Sequence, residues 1–281
     1  MRLRKTAGPA RAAAPDAFFL QRRAAEDIVE RLLAVPRSFQ RALLFDPTDA
    51  MRDAIAQTPE ISNRIGEIVA VDGISSLCVE SLDLETEAFD LIVSPLVLHW
   101  ANDLPGALVQ LRLALKADGL LMASILGGET LQELRAALLE AEAALTGGVA
   151  LRVGPFAQLH DLAGLLQRAG FALPAADRDL LTVRYANPLG LIRDLRAMGE
   201  TAAFPTSERA PLRRDVAAAA LAAYTQYAAD PDGRVRATFE ILTATGWRPH
   251  ASQQQPLKPG SAKTRLADAL KTTEHALKRE D

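Results

Sequence analysis

The chain has 281 residues, 49% of them hydrophobic, which is enough for one large α/β domain with a helical insert or at most two small domains. Its formal net charge is -3 with both signs interspersed, so no overall field draws it to nucleic acid or to an anionic membrane. The only cysteine, Cys78, excludes disulfides within the chain and thiolate zinc clusters, reads as a small apolar core residue, and fits a reducing cytoplasm.

Residues 1–15 are basic and Ala-rich with no acid, a composition shared with organelle transit segments. Pro9 and Pro15 interrupt them and no periodicity is present, so a flexible basic arm is expected. From Asp16 an apolar stripe at Phe18, Phe19, Ala25, Ile28, Val29, Leu32 and Leu33 predicts a lead-in helix over 16–35, stopped before Pro36. Short apolar segments then alternate with helical patterns at Ala42 to Phe45, Met51 to Ala56, Glu67 to Val71 and Phe89 to Leu98, the mark of βαβ units and a mostly parallel sheet. The longest apolar run, Leu91 to Leu98, is broken by Ser94 and Pro95 and falls short of the roughly 18 residues of a membrane span.

Asp103 and Pro105 start a helix whose face is Leu104, Ala107, Leu108, Leu111 and Leu115, with Gly119 as its stop. A fifth strand is expected over Leu120 to Leu126. Gly127 and Gly128 then open a helix burying Leu131, Leu134, Leu138, Ala141 and Leu145, ended by Gly147 and Gly148. A short helix, Leu162 to Ala169, is closed by Gly170. Leu180 to Tyr185 and Thr238 to Thr245 read as the sixth and seventh strands. Between them, two helical stretches near Leu189 to Met198 and Leu212 to Tyr227 read as an insert over 187–228 that covers one end of the sheet. One domain over 16–262 is expected, followed by a charged tail over 263–281 that is a marginal helix.

Several motifs sharpen the order of strands into a resemblance. The run Phe89-Asp90-Leu91-Ile92-Val93-Ser94, then Leu98-His99-Trp100, Asn102-Asp103-Leu104-Pro105 and Leu115-Lys116-Ala117-Asp118-Gly119, resembles the fourth-strand and fifth-strand region of class I S-adenosylmethionine (SAM) dependent methyltransferases. Further on, Gly127-Gly128-Glu129-Thr130-Leu131-Gln132-Glu133-Leu134-Arg135, Leu165-Leu166-Gln167-Arg168-Ala169-Gly170-Phe171, Asp194-Leu195-Arg196-Ala197-Met198-Gly199, Gly246-Trp247 and His250-Ala251-Ser252-Gln253 look like a narrower family. It holds the mitochondrial complex I assembly factor described as a protein-arginine hydroxylase, and its alphaproteobacterial relatives. The carrier-protein methyltransferase of biotin synthesis is a more distant likeness. The resemblance implies a doubly wound, mostly parallel seven-stranded Rossmann-like sheet, SAM as cofactor, and a protein partner that is a subunit of the respiratory NADH dehydrogenase.

At the first strand the pattern departs from that family. Where the parent fold has an acid and a glycine-rich loop against the ligand, this chain has Leu43-Leu44-Phe45-Asp46-Pro47-Thr48-Asp49-Ala50, and no glycine lies between Arg41 and Asn63. Aligned on Pro47, Phe45 falls at the first glycine, where its ring is expected to push toward the ligand's place, and Pro47 fixes φ near about -65° and removes a donor. Both changes count against cofactor affinity. Asp46 is the candidate to replace the lost acid, whereas Thr48 and Asp49 are more simply N-caps of the next helix.

The other cofactor candidates carried over by the resemblance are Asp72, Glu80 and Ser94. Asp72 follows an apolar strand and stands either where an acid takes the ribose hydroxyls or as the turn residue of Asp72-Gly73. Glu80 falls near the adenine edge or is a solvated acid. His99, at the carboxyl edge of the fourth strand, is the catalytic candidate: an imidazole there orients a nucleophile and moves a proton, or else hydrogen-bonds the next helix start. Trp100 stacks on a cation or closes the core edge.

None of His99, His160, His250 or His275 is followed at two residues by Asp or Glu, so the local signature of a non-heme iron site is absent, which leaves open only a site assembled from distant residues. No metal site is assigned. P-loop, Gly-x-Ser-x-Gly and His-Glu-x-x-His motifs are also absent. Three functions follow: an enzyme of this superfamily acting on a protein, a conventional methyltransferase of a small or carrier-bound acceptor, and a non-catalytic assembly module. The altered loop favours the last, and Asp72 with His99 the first two.

Overall fold

The computed structural model describes residues 18–45, 49–71, 82–101, 103–201, 211–254, 261 and 264–272. Asp46, Asp72, Cys78 and Glu80 lie outside these, as do the basic arm and most of the tail. Two units are present, Met1–Pro249 and His250–Asp281.

Within the first unit, helix α1 (Phe19–Ala34) leads into β1 (Phe39–Phe45), α2 (Asp49–Ala56), α3 (Pro59–Ser62) and β2 (Ile65–Val71). Strand β3 (Phe89–Pro95) is followed by a 3-10 turn (Leu98–Trp100), α4 (Leu104–Ala114), β4 (Leu115–Leu126), α5 (Gln132–Thr146) and α6 (Leu159–Arg168). The unit ends with β5 (Ala172–Tyr185), α7 (Pro188–Ala197), α8 (Arg214–Ala228) and β6 (Val235–Trp247). The strands form one six-stranded sheet in the order β2-β1-β3-β4-β6-β5, with β1 to β4 parallel and β6 antiparallel to both its neighbours. This is the expected doubly wound, mostly parallel arrangement with six strands among the described residues where seven were predicted.

Strand periodicity sorts the core into two faces. Leu43, Phe45, Ile92 and Leu121 point to α4 and α6, whereas Ala42, Leu44, Leu91 and Met122 point to α1 and α2. Because both faces are covered, these strands read as continuous apolar runs rather than as alternating ones. A third cluster joins Leu96 and Leu126, just past the carboxyl ends of β3 and β4, to α5, α7, α8 and the first half of β6. The insert helices therefore pack on the edge where open parallel sheets hold their ligands.

Four local differences from the sequence reading have physical causes. Strand β3 stops at Pro95, because Leu96 takes a positive φ of 47° and turns the chain into the 3-10 segment that carries His99. Leu115 begins β4 instead of closing α4, since it pairs with Phe89 and Lys116 Nζ reaches Asp90 Oδ1 at 3.0 Å. Helix α5 begins at Gln132, and Gly127 and Gly128 precede it because a Cβ at either would collide with the side chains of Glu240 or Gln158. Leu145, expected inside, is 44% exposed, whereas Leu134 and Ala141 are buried as predicted.

The second unit, described by itself, contains a turn in which His250 Nδ1 and Ser252 Oγ are 2.7 Å apart, and a four-residue helix α9 (Leu266–Ala269). Among the described residues no helix is long and apolar enough to cross a membrane.

Candidate functional site

A cavity of about 310 Å³ opens at the carboxyl edge of the sheet, between the ends of β3 and β4, the start of β6, helices α5 and α7, and the segment 151–156. Its wall is largely apolar, with Leu126, Leu134, Phe156, Ile192 and Phe239 prominent, and Phe239 is braced edge-on by Phe19 at 5.6 Å. Against that wall stands one polar pair. His99 Nε2 lies 3.1 Å from Glu200 Oε2, and the two side chains are 1% and 5% exposed. The ring is held by Trp100 at 5.4 Å and by the edge of Phe156 at 6.0 Å, and its other nitrogen, Nδ1, is buried without a hydrogen-bond partner.

Backbone geometry delivers Glu200. Helix α7 ends in a Schellman turn: Gly199 has φ of 74°, its amide donates to the Arg196 carbonyl at 3.2 Å, and the Glu200 amide donates to the Leu195 carbonyl at 2.8 Å. Glycine suits the first of these positions because a Cβ at that φ is strained. At the other end of α7, the Asn187 side chain accepts from the amides of Leu189 and Gly190, and Pro188 fills the first turn. The far end of the cavity is thus fixed by a helix capped at both ends.

A second charge lines the cavity in a neutralised form. Arg152 donates from Nε and Nη2 to Glu142 Oε1 at 2.9 and 2.5 Å, while the Ala150 amide donates to Glu142 Oε2 at 2.7 Å. Burial alone would raise the Glu142 carboxyl, but the Arg152 guanidinium and the Ala150 amide outweigh it and hold the group below the usual carboxylate range. Arg196, exposed, also lines the cavity. Deeper in the insert, burial first and the Asp194 carboxylate second push the Tyr185 phenol up, and burial first and Glu133 second do the same to Tyr224.

Of the predicted site residues, His99 lines this cavity and Ser94 does not. Ser94 is fully buried in β3 opposite Ala123, with its Oγ unpartnered. Phe45 is buried among Leu43, Val97 and Leu98 and lines no described cavity, so its ring is part of the core. Asp46, Asp72 and Glu80 lie outside the described residues. His250 forms its own turn in the second unit, and His160 is exposed beside Asp161. Sequence reasoning missed Glu200, Arg152 and Phe156. For Glu200 a signal was present, because Gly199 marks the helix stop and the next residue is the one such a turn holds in place.

The likeness to known proteins agrees with the sheet. A methyltransferase domain model matches residues 24–175. The chain is 37% identical over 270 residues to the mitochondrial arginine-hydroxylase NDUFAF5 of Danio rerio, covering 90% of this chain and 82% of that one. It is 37% identical over 169 residues to a malonyl-[acyl-carrier protein] O-methyltransferase of Halorhodospira halophila, where 60% of this chain covers 55% of that protein. Among solved structures, the YcgJ protein of Bacillus subtilis superposes with a TM-score of 0.52 at 14% identity, over 80% of this chain and 98% of that one, a likeness of fold alone. The chain belongs to the SAM-dependent methyltransferase superfamily, in the group that holds the NDUFAF5 arginine-hydroxylases.

Proposed function

We propose that the chain is an enzyme of this superfamily that acts on an arginine side chain of a protein partner, with the cavity beside His99 and Glu200 as the acceptor site. One observation carries the reading: a carboxylate and an imidazole, both buried, stand at one wall of an otherwise apolar slot. Such a slot suits a methylene stem, and a carboxylate suits the planar, permanently charged guanidinium at its tip. His99 is the residue proposed to act as the catalytic base, taking a hydrogen bond and a proton from the acceptor. By resemblance the partner is an NADH dehydrogenase subunit; the single cysteine is what supports a reducing, cytoplasmic location.

For SAM, the support is the fold and the family. The described residues offer it no ready contact, since the Ser94 hydroxyl is covered and Phe45 belongs to the core. Asp46, Asp72 and Glu80 are the residues proposed to hold it. When bound, SAM would supply an activated methyl group; the described residues supply the acceptor side.

Titration calorimetry with SAM and S-adenosylhomocysteine tests the cofactor half. Micromolar binding, about -8 kcal/mol, supports an enzyme, and silence at millimolar ligand points to the non-catalytic assembly module. Mass spectrometry of NADH dehydrogenase subunits incubated with the chain tests the acceptor half: a mass change on an arginine supports the reading, and unmodified arginine with bound SAM refutes it. Arg196 favours a second reading. An exposed cation lining the cavity suits an acidic, carrier-bound acceptor, and transfer to such an acid in the same assay would select it.

A further inference from the structure

We infer that Glu200 is the positioning residue of His99, holding the imidazole in the single tautomer that carries its hydrogen on Nε2 and leaves the buried Nδ1 as an acceptor. The inference rests on the reading of this cavity as the acceptor site and goes beyond it by assigning the proton on the ring. An ionised carboxylate only accepts, so the 3.1 Å approach of Glu200 Oε2 to Nε2 requires the hydrogen to sit on Nε2. The other nitrogen is then an acceptor. Nδ1 is buried and has no partner. An orphaned buried donor is rarer and less readily tolerated than an under-satisfied acceptor, so a hydrogen on Nδ1 is the less favourable arrangement.

The ring cannot evade this choice by turning. Trp100 and Phe156 hold it from two sides, and a half-turn about the Cβ–Cγ bond would take Nε2 away from the only carboxylate it is bonded to. Glu200 in turn is fixed by the Schellman end of α7 rather than by a mobile loop.

The test is long-range proton–nitrogen NMR of the imidazoles in the full, uniformly 15N-labelled chain, with His99→Gln used to assign the ring. A single tautomer is expected, with Nε2 in the range of a protonated nitrogen and Nδ1 in that of an unprotonated one. In Glu200→Gln the two nitrogens should move toward each other as the tautomers mix, and in Glu200→Asp, which keeps the charge and shortens the reach, they should move the same way. A wild-type ring protonated on Nδ1 would overturn the inference, and so would a pattern unchanged in both variants. If one variant fails to fold, the wild-type spectrum and the other still decide. None of these spectra needs cofactor or substrate, so loss of the enzymatic reading by calorimetry or mass spectrometry leaves this result standing, and the reverse is equally true.

Discussion

The parallel and antiparallel halves of this sheet are built for different work. The carboxyl halves of β1, β3 and β4 are apolar on both faces apart from Ser94 and Ser124, and the candidate polar group, Ser94, is covered and unpartnered. The half made of β5, β6 and the insert carries ion pairs along its exposed edge and supplies one side of the cavity, with Ile192, Leu195, Glu200 and Phe239, while α5 and the segment 151–156 supply most of the rest. Parallel strands need two covered faces and leave little surface for chemistry, whereas an antiparallel edge and a helical insert can carry charge without weakening the core. The division is between a sheet centre covered on both faces and an edge, with its insert, that carries charge to the surface.

The largest expected test of that division is Phe45→Ala. If the ring is core, urea unfolding should show a loss of about 3–5 kcal/mol with no gain in SAM affinity. A gain of tenfold or more would mean that the ring obstructs the ligand, and the division would fail at its centre.

Next is Glu142→Ala, which removes the carboxylate bonded by both the Arg152 guanidinium and the Ala150 amide and should cost about 3 kcal/mol. The same pair gives a pH dependence with a definite sign. The folded-state value of Glu142 lies below its unfolded one, so its contribution is fully present above the ordinary value of 4.5 and is lost as pH falls through the lower, folded value. The stability gap between the wild type and Glu142→Gln should therefore close below about pH 4.5, and a gap that widens there would contradict the pairing.

Smaller still, Asn187→Ala removes the N-cap of α7 and should cost about 1 kcal/mol in thermal or urea unfolding. The smallest effect is expected at the sheet's rim. A double-mutant cycle on Arg23 and Asp179, an exposed pair at 2.6 Å, should return a coupling of about 0.2–1 kcal/mol that fades with added salt. A coupling as large as that of the buried pair would erase the contrast between rim and cavity.

Much of the fold was legible in the sequence because burial writes itself into period. The unbroken apolar runs of β1, β3 and β4 and the 3.6-residue faces of α1, α4 and α6 are local patterns. The first half of β5 was not legible. Residues 172–179, left out of the strand expected over Leu180 to Tyr185, carry Pro174, Asp177, Arg178 and Asp179, yet they form strand. They can do so because β5 is an edge: Pro174 falls in a register shift between Ala172 and Ala175, and Asp177 and Asp179 meet Arg31 and Arg23 of α1. The candidate site was half legible. His99 stands just past a recognisable strand, but its partner lies 101 residues further along the chain, and no window of local sequence joins them.

The Schellman end of α7 makes the polar pair composite in origin. One member comes with the strands and the other is grafted on by the helix that follows β5, so an exchange of that graft would re-equip the imidazole with a different neighbour while the sheet beneath stays as it is. Divergence of chemistry on this scaffold then needs no rebuilding of strands; it needs only a different residue after one glycine.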